Sequence, residues 1–219
     1  MGASRMPVRA KICGLTRAED AAAAVAAGAD YLGVVFAAGP RRVTAQVAAE
    51  VHAAAEGVPV FGVFVDQSVD EILRLSHAAL LEGAQLHGAY GHADAVRLRE
   101  EGLRVWRVVR LADSADLAQL GEALGGADAI LVEPRVPHAA GGTGTRLDLA
   151  LAQAARVRLA GATMVLAGGL TSESVAAAMA LVRPEVVDVS SGVERLPGIK
   201  DPDKIARFLE AVVGHSAIN

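Results

Sequence analysis

Eight times along this chain a short run rich in Val, Ile, Leu or Phe is followed by a longer stretch of helical spacing, with Gly or Asp at the joins. The spacing predicts strands over 8–13, 30–36, 59–66, 83–87, 104–111, 128–133, 163–167 and 186–190. It predicts helices near 19–27, 44–56, 68–79, 92–101, 114–124, 147–159, 172–181 and 203–213. In the last of these Ile205, Phe208, Leu209 and Val212 fall at i, i+3, i+4 and i+7, one apolar face to lay on a sheet. Strict alternation implies a parallel sheet with right-handed crossovers, and eight such units without an intervening linker fit a closed (β/α)8 barrel, a TIM barrel, spanning 1–219 as a single α/β domain. The rival is an open doubly wound sheet. Against it, the first turn, CGLTRAED, lacks a G-x-G-x-x-G fingerprint. Thr16, Thr44, Ser68 and Thr171 each precede a helical stretch and are expected to cap it, with Glu19 and Glu71 at capping-box spacing.

Composition narrows the partner. The 219 residues are 53% apolar and only 3% aromatic, enough for a large aliphatic core. A net charge of −4, spread over interspersed acids and bases, leaves no basic stripe, which argues against nucleic acid or an anionic membrane and for a small molecule. No apolar run approaches the roughly 18 residues of a membrane span, the first residues lack a signal-peptide core, and a single cysteine permits no internal disulfide, so a cytoplasmic protein is expected. The six histidines are scattered, and no metal site is expected. Monomer and homodimer both stay open.

In such a barrel the C-terminal ends of all strands share one mouth, where catalytic groups sit. Those ends would present Cys13, Phe36 with Arg41 and Arg42 beyond it, Asp66, Gln85, His87, Arg107 to Arg110, Glu133, Gly168 and Gly169, and Asp188 with Ser190 and Ser191. Cys13 and Glu133 would face each other as proton acceptor and donor. A thiolate needs nearby positive charge, and a carboxylic acid needs burial or a negative neighbour to keep its proton. Each also has a plain reading, as a buried thiol and as a strand-end carboxylate paired with an arginine. GGTG (141–144, with Gly142 and Gly144), AGGL (167–170, with Gly168 and Gly169) and SSGVE (190–194, with Ser190, Ser191 and Gly192) can bring backbone amides close to a phosphate dianion. The stretch 134–146 is long for a β–α loop and is expected to be a mobile active-site lid. Arg41 and Arg42 are guanidinium candidates for a substrate carboxylate. Asp66 and Asp188 suit a sugar hydroxyl or a helix cap, and His87 suits a hydrogen-bonded structural role or a base.

KICGLTRAEDA (11–21), GADYLGVVF (28–36) followed by PRRVT, GVFVD (62–66), QLHG (85–88), GGTG, LAGGLTSESV (166–175) and DVSSGVERLPGIKD (188–201) together resemble the phosphoribosylanthranilate isomerases of tryptophan biosynthesis, in order and over nearly the whole chain. The resemblance implies a (β/α)8 barrel that needs no cofactor and converts N-(5-phosphoribosyl)anthranilate into 1-(2-carboxyphenylamino)-1-deoxyribulose 5-phosphate by an Amadori rearrangement. It places Cys13 at the general base, Arg42 at the anthranilate carboxylate, Asp188 near the ribose, and the three Gly/Ser stretches around the phosphate. One position departs. The family's acid is an aspartate in an LLD-like segment, and here ILVE supplies Glu133, whose extra methylene moves the donor by about 1.5 Å. A misplacement of about 1 Å can cost on the order of 10²-fold in rate. The loop after it, with VPHAA before GGTG, also looks about one residue longer than usual. Either loop and acid have shifted together, or the chain is a non-catalytic phosphosugar-binding barrel. A third reading is the related isomerisation of a histidine-pathway ribotide, whose enzymes pair two aspartates instead.

Overall fold

A computed structural model describes residues 7–135 and 147–216. Its strands are β1 (Arg9–Ile12), β2 (Tyr31–Val35), β3 (Val60–Val65), β4 (Gly83–His87), β5 (Arg104–Leu111), β6 (Ala129–Pro134), β7 (Met164–Leu166) and β8 (Val186–Val189). Each pairs in parallel with the next, and β8 returns to β1 in the register Arg9↔Val186 to Ile12↔Val189, so the barrel is closed. Between them run α1 (Ala18–Ala26), α2 (Ala45–Ala53), α3 (Val69–Ala79), α4 (His92–Glu100), α5 (Gln119–Ala123), α6 (Leu149–Arg158) and α7 (Val175–Val182), and α8 (Pro202–Ser216) follows β8. The expected α/β architecture is therefore the one observed. Residues 136–146, which hold Gly142, Gly144 and most of the expected lid, lie outside the described residues.

Strands buried on both faces need apolar residues at every position, which explains why they read as continuous hydrophobic runs. Their inward side chains Tyr31, Phe61, Trp106, Ala129, Leu131, Val165, Ala167 and Val186 fill the lumen. The Phe61 and Trp106 rings lie 4.3 Å apart, and Tyr31 meets each edge-on at 5.7 and 5.2 Å. Three of the seven aromatic residues thus pack inside the barrel, and Phe36, Phe64, Tyr90 and Phe208 join the aliphatic side chains in the layer between strands and helices. Gly83 makes the lumen packing feasible, because the Phe61 ring occupies the place where its Cβ would stand. Gly83→Ala is expected to destabilise the fold by about 1–3 kcal/mol, as overpacking does, read as a lower urea midpoint at unchanged m-value.

Two caps form as expected: Thr44 accepts from the Val47 amide and Ser68 from the Glu71 amide. Two do not. The Thr16 hydroxyl instead donates to the Gly198 carbonyl, and α1 starts after Arg17 without a side-chain cap. Thr171 precedes a turn in which its own amide donates to Ser174 Oγ, and α7 begins only at Val175. The single helix expected over 114–124 is a 3-10 segment (Ser114–Ala118) running into a short α5. The stretch after β8, for which the sequence indicates no helix or strand, holds a 3-10 turn (Ser191–Val193) and the antiparallel pair β9 (Glu194–Leu196) and β10 (Ile199–Lys200).

Candidate active site

Alternation along β1 turns Arg9, Lys11 and Cys13 inward, so a lysine lies below the cysteine. Lys11 is fully buried and donates to Asp188 Oδ1 at 3.0 Å and to the Gln85 side-chain oxygen at 2.8 Å, and its Nζ borders the same gap beside Gly33 as Cys13 Sγ. Its ammonium also stands 5.5 Å above the Trp106 ring, where the lumen core ends. Asp188 is its register partner on β8, so the barrel closure itself assembles the ion pair. Gly33 on β2 leaves the room for both side chains, because a Cβ there would stand 2.9 Å from Cys13 Sγ and 3.0 Å from Lys11 Cε. Burial would depress the Lys11 ammonium, but Asp188 and Cys13 outweigh it and hold the group above its ordinary value. Lys11→Met leaves Asp188 buried without its counter-charge and is expected to cost about 3–5 kcal/mol of stability in a denaturant titration.

Cys13 is buried, at 6% exposure, yet it belongs to neither apolar cluster. Burial pushes its thiol up, Lys11 pulls it down, Asp188 pushes it up again and Lys200 pulls it down, with a net rise. Gly14, immediately after it, has φ +73°, and a Cβ there would stand 2.6 Å from Arg41 Cδ and 2.8 Å from Ser190 Oγ. The strand end is thus pinned between the loops that follow β2 and β8.

Across the mouth Glu133 ends β6 at 7% exposure. Arg110 Nε on β5 donates to its Oε1 at 2.9 Å, and His87 Nδ1 on β4 stands 3.5 Å from the same oxygen. Burial raises the Glu133 carboxyl, but His87 and Arg110 outweigh it and hold it below the ordinary carboxylate range. Without substrate the group is a carboxylate, whereas an acid catalyst has to carry a proton. Both contacts fall on Oε1; among the described residues Oε2 accepts from no side chain. His87 is buried and meets Gln85 Nε2 through its own Nε2 at 2.8 Å.

The Gly/Ser stretches after β7 and β8 are shaped by close approach. Gly168 (φ +105°) has no Cβ to collide with the Pro134 ring, and a Cβ on Gly192 would overlap the Leu170 carbonyl. Gly169 follows with φ +64°. Among the described residues the amides of Gly168, Gly169, Ser191 and Gly192 meet no acceptor, and the Ser190 carbonyl accepts from Lys200 Nζ at 3.0 Å. Of the arginine pair only Arg42 stays available. Arg41 is clasped by Glu194 through Nε and Nη2, both at 2.7 Å, whereas Arg42 is exposed and, among the described residues, forms no ion pair. Glu194 also takes the buried Lys200 at 3.0 Å. Asp66 takes a left-handed turn (φ +65°) after β3, and Ser68 rather than Asp66 caps α3. Lys11, Glu194 and Lys200 carried no role in the sequence reading. The signal for Lys11 was its even spacing from Cys13 along an alternating strand, which turns both to the same face. Among the described residues no cluster of His, Cys, Asp or Glu suits a metal ion, and no helix is long and apolar enough to cross a membrane.

Known proteins match the chain over nearly its whole length. A profile of the family described as N-(5'phosphoribosyl)anthranilate (PRA) isomerase matches residues 10–211. The N-(5'-phosphoribosyl)anthranilate isomerase of Zymomonas mobilis is 42% identical over 212 residues, covering 94% of this chain and 99% of its own. That of Pseudomonas fluorescens is 44% identical over 210 residues, covering 94% and 95%. Among solved structures, phosphoribosyl anthranilate isomerase from Thermotoga maritima superposes with a TM-score of 0.84 at 34% identity, over 94% of this chain and 99% of that one. A phosphoribosyl anthranilate isomerase in complex with reduced 1-(o-carboxyphenylamino)-1-deoxyribulose 5-phosphate gives 0.82 at 32% identity, again over 94% and 99%. With its full-length match and its closed eight-stranded barrel, the chain belongs to the phosphoribosylanthranilate isomerase family.

Proposed function

We propose that the chain converts N-(5-phosphoribosyl)anthranilate into 1-(2-carboxyphenylamino)-1-deoxyribulose 5-phosphate, with Cys13 as general base and Glu133 as general acid. The observation that carries the reading is the placement of one titratable thiol and one titratable carboxyl at the ends of β1 and β6, on the same mouth, joined by buried polar groups. Glu133 protonates the furanose oxygen from Oε2, the oxygen not claimed by Arg110 and His87, and the ring opens to a protonated Schiff base. Cys13 then removes the C2 proton, and the electron pair of that C–H bond neutralises the iminium to give the enolamine, which relaxes to the ketone. The open amides of Gly168, Gly169, Ser191 and Gly192 suit the phosphate, as would Gly142 and Gly144 of the loop beyond Arg135. Arg42 is left to clasp the anthranilate carboxylate. Asp188, held by Lys11, faces the ribose. We read 134–146 as the lid and the protein as cytoplasmic, its substrate being a phosphorylated metabolite. A dimeric relative is known from Thermotoga maritima, and monomer and homodimer both fit here.

One observation favours the second reading, a barrel that binds its phosphosugar without turnover: Arg110 Nε and His87 Nδ1 both stand at Glu133 Oε1, at 2.9 and 3.5 Å, and favour the ionised carboxyl. Turnover decides between them. Purified protein is expected to extinguish the fluorescence of the anthranilate ribotide as it isomerises; tight binding of a reduced product analogue with no loss of fluorescence would establish the non-catalytic barrel. Arg42→Met is expected to raise KM about tenfold with a smaller change in kcat, the mark of a contact present in both ground and transition states.

A further inference from the structure

We propose that Lys11, Gln85 and His87 are positioning residues, forming one directed hydrogen-bond relay that runs from Lys11, beside Cys13 on β1, to Glu133 on β6 and fixes the His87 hydrogen on Nδ1, facing the carboxylate. The proposal rests on the reading of Cys13 and Glu133 as base and acid, and it adds three groups with no assigned part in the chemistry.

The direction follows from donor and acceptor capacity alone. An ammonium has three hydrogens to give and no lone pair. Lys11 is fully buried, and it donates to Asp188 Oδ1 at 3.0 Å and to the Gln85 side chain at 2.8 Å while standing beside Cys13. The Gln85 atom that faces Lys11 must therefore be the carbonyl oxygen. Its amide nitrogen is then the atom 2.8 Å from His87 Nε2. Since an amide nitrogen only donates, Nε2 must offer a lone pair, and a neutral imidazole with a bare Nε2 carries its hydrogen on Nδ1. Nδ1 lies 3.1 Å from Arg110 Nη2 and 3.5 Å from Glu133 Oε1. A guanidinium is a donor too, so Arg110 Nη2 has to turn aside from a protonated Nδ1, which a side chain 29% exposed can do and the sealed Lys11 and Gln85 cannot; the Nδ1 hydrogen is then directed to the carboxylate, and Arg110 serves Glu133 through Nε at 2.9 Å.

The alternatives all leave buried donors facing each other. Turning the Gln85 amide over sets its NH2 against the Lys11 ammonium. Protonating His87 on both nitrogens sets an N–H against the Gln85 NH2. Unmade hydrogen bonds of this kind are expensive in a closed lumen, and Lys11, Gln85 and His87 are all nearly inaccessible to water. A lysine at the foot of the base thus decides, through one amide, which imidazole nitrogen faces the acid.

The test begins with the unmodified protein. Histidine-labelled 15N spectra, with the His87 signals assigned by their disappearance in His87→Gln, are expected to show a single Nδ1–H tautomer. A ring protonated on Nε2 would overturn the relay whatever the variants do. Gln85→Met keeps the length and removes both polar atoms; a mixed tautomer is expected, with kcat reduced about 10- to 100-fold and KM within about twofold, since misorientation of a reacting group costs on this scale. Gln85→Glu presents only acceptors and is expected to draw the hydrogen onto Nε2. If His87 keeps a pure Nδ1–H in both variants, Gln85 does not set it and the proposal fails. Failure of the base and acid reading shows up separately: Glu133→Gln with undiminished kcat removes the acid and leaves the tautomer result standing.

Discussion

Cys13→Ala is expected to lower kcat by about 10²–10⁴-fold, the range a general base contributes, with KM close to that of the parent. Binding should survive because the phosphate amides and Arg42 lie on other strand ends, and the thiol makes only the contact at the substrate C2. Folding should survive as well, since Cys13 lies outside both apolar clusters. A product analogue that binds equally well to parent and variant, beside a rate reduced by orders of magnitude, checks both halves. A variant that turns over like the parent excludes the thiol from the mechanism. The lone cysteine also makes the base directly visible, since thiol alkylation of the protein reports Cys13 alone.

Glu133→Gln should cost on the same scale, about 10²–10⁴-fold in kcat, and the pH dependence gives this prediction its sign. Burial holds the thiol above its ordinary value, and His87 with Arg110 holds the carboxyl below its own. At neutral pH the free enzyme is therefore mostly thiol and carboxylate, whereas the productive form is thiolate and carboxylic acid. The two forms carry the same number of protons, so their ratio does not change with pH, and kcat/KM is expected to be flat through neutrality. It falls on the acid side when Glu133 titrates and both groups are protonated. On the alkaline side it falls when Cys13 titrates and both are ionised. The limbs are thus assigned in reverse of their roles, as coupled sites allow. Two measurements check this. The alkaline limb should coincide with the titration of Cys13 followed by iodoacetamide, and Glu133→Gln should abolish that limb, leaving a residual rate that rises with pH until the thiol is ionised. An alkaline limb that lies away from the thiol titration defeats the assignment.

The barrel was legible because its strands advertise themselves locally. β4 and β5 fall on 83–87 and 104–111 as their hydrophobic runs indicate, and the remaining strands differ only at their ends. What escaped was structure decided at long range. The β9–β10 pair has no periodicity of its own and is held by the Lys200–Glu194 pair and by the hydroxyl of Thr16, 182 residues before its partner Gly198. That same bond is why Thr16 does not cap α1. Lys11 reads as an ordinary polar residue at a strand start, and its burial is decided by Asp188, 177 positions away. Cys13, Glu133 and Arg42 could be singled out because strand ends share a mouth and the family resemblance names them. The ionised state of Glu133 could not, since it depends on which side chains of β4 and β5 turn inward beside it.

At Gly168 and Gly192 the missing Cβ atoms let three neighbouring strand ends press together, with Pro134 of β6 against the turn after β7, and the Leu170 carbonyl of that turn against the one after β8. Such contacts leave little slack, so the amides of these turns that meet no acceptor among the described residues are fixed before any ligand arrives. An incoming dianion need not organise its own socket, and the ordering entropy that flexible loops would forfeit on capture has already been spent in folding.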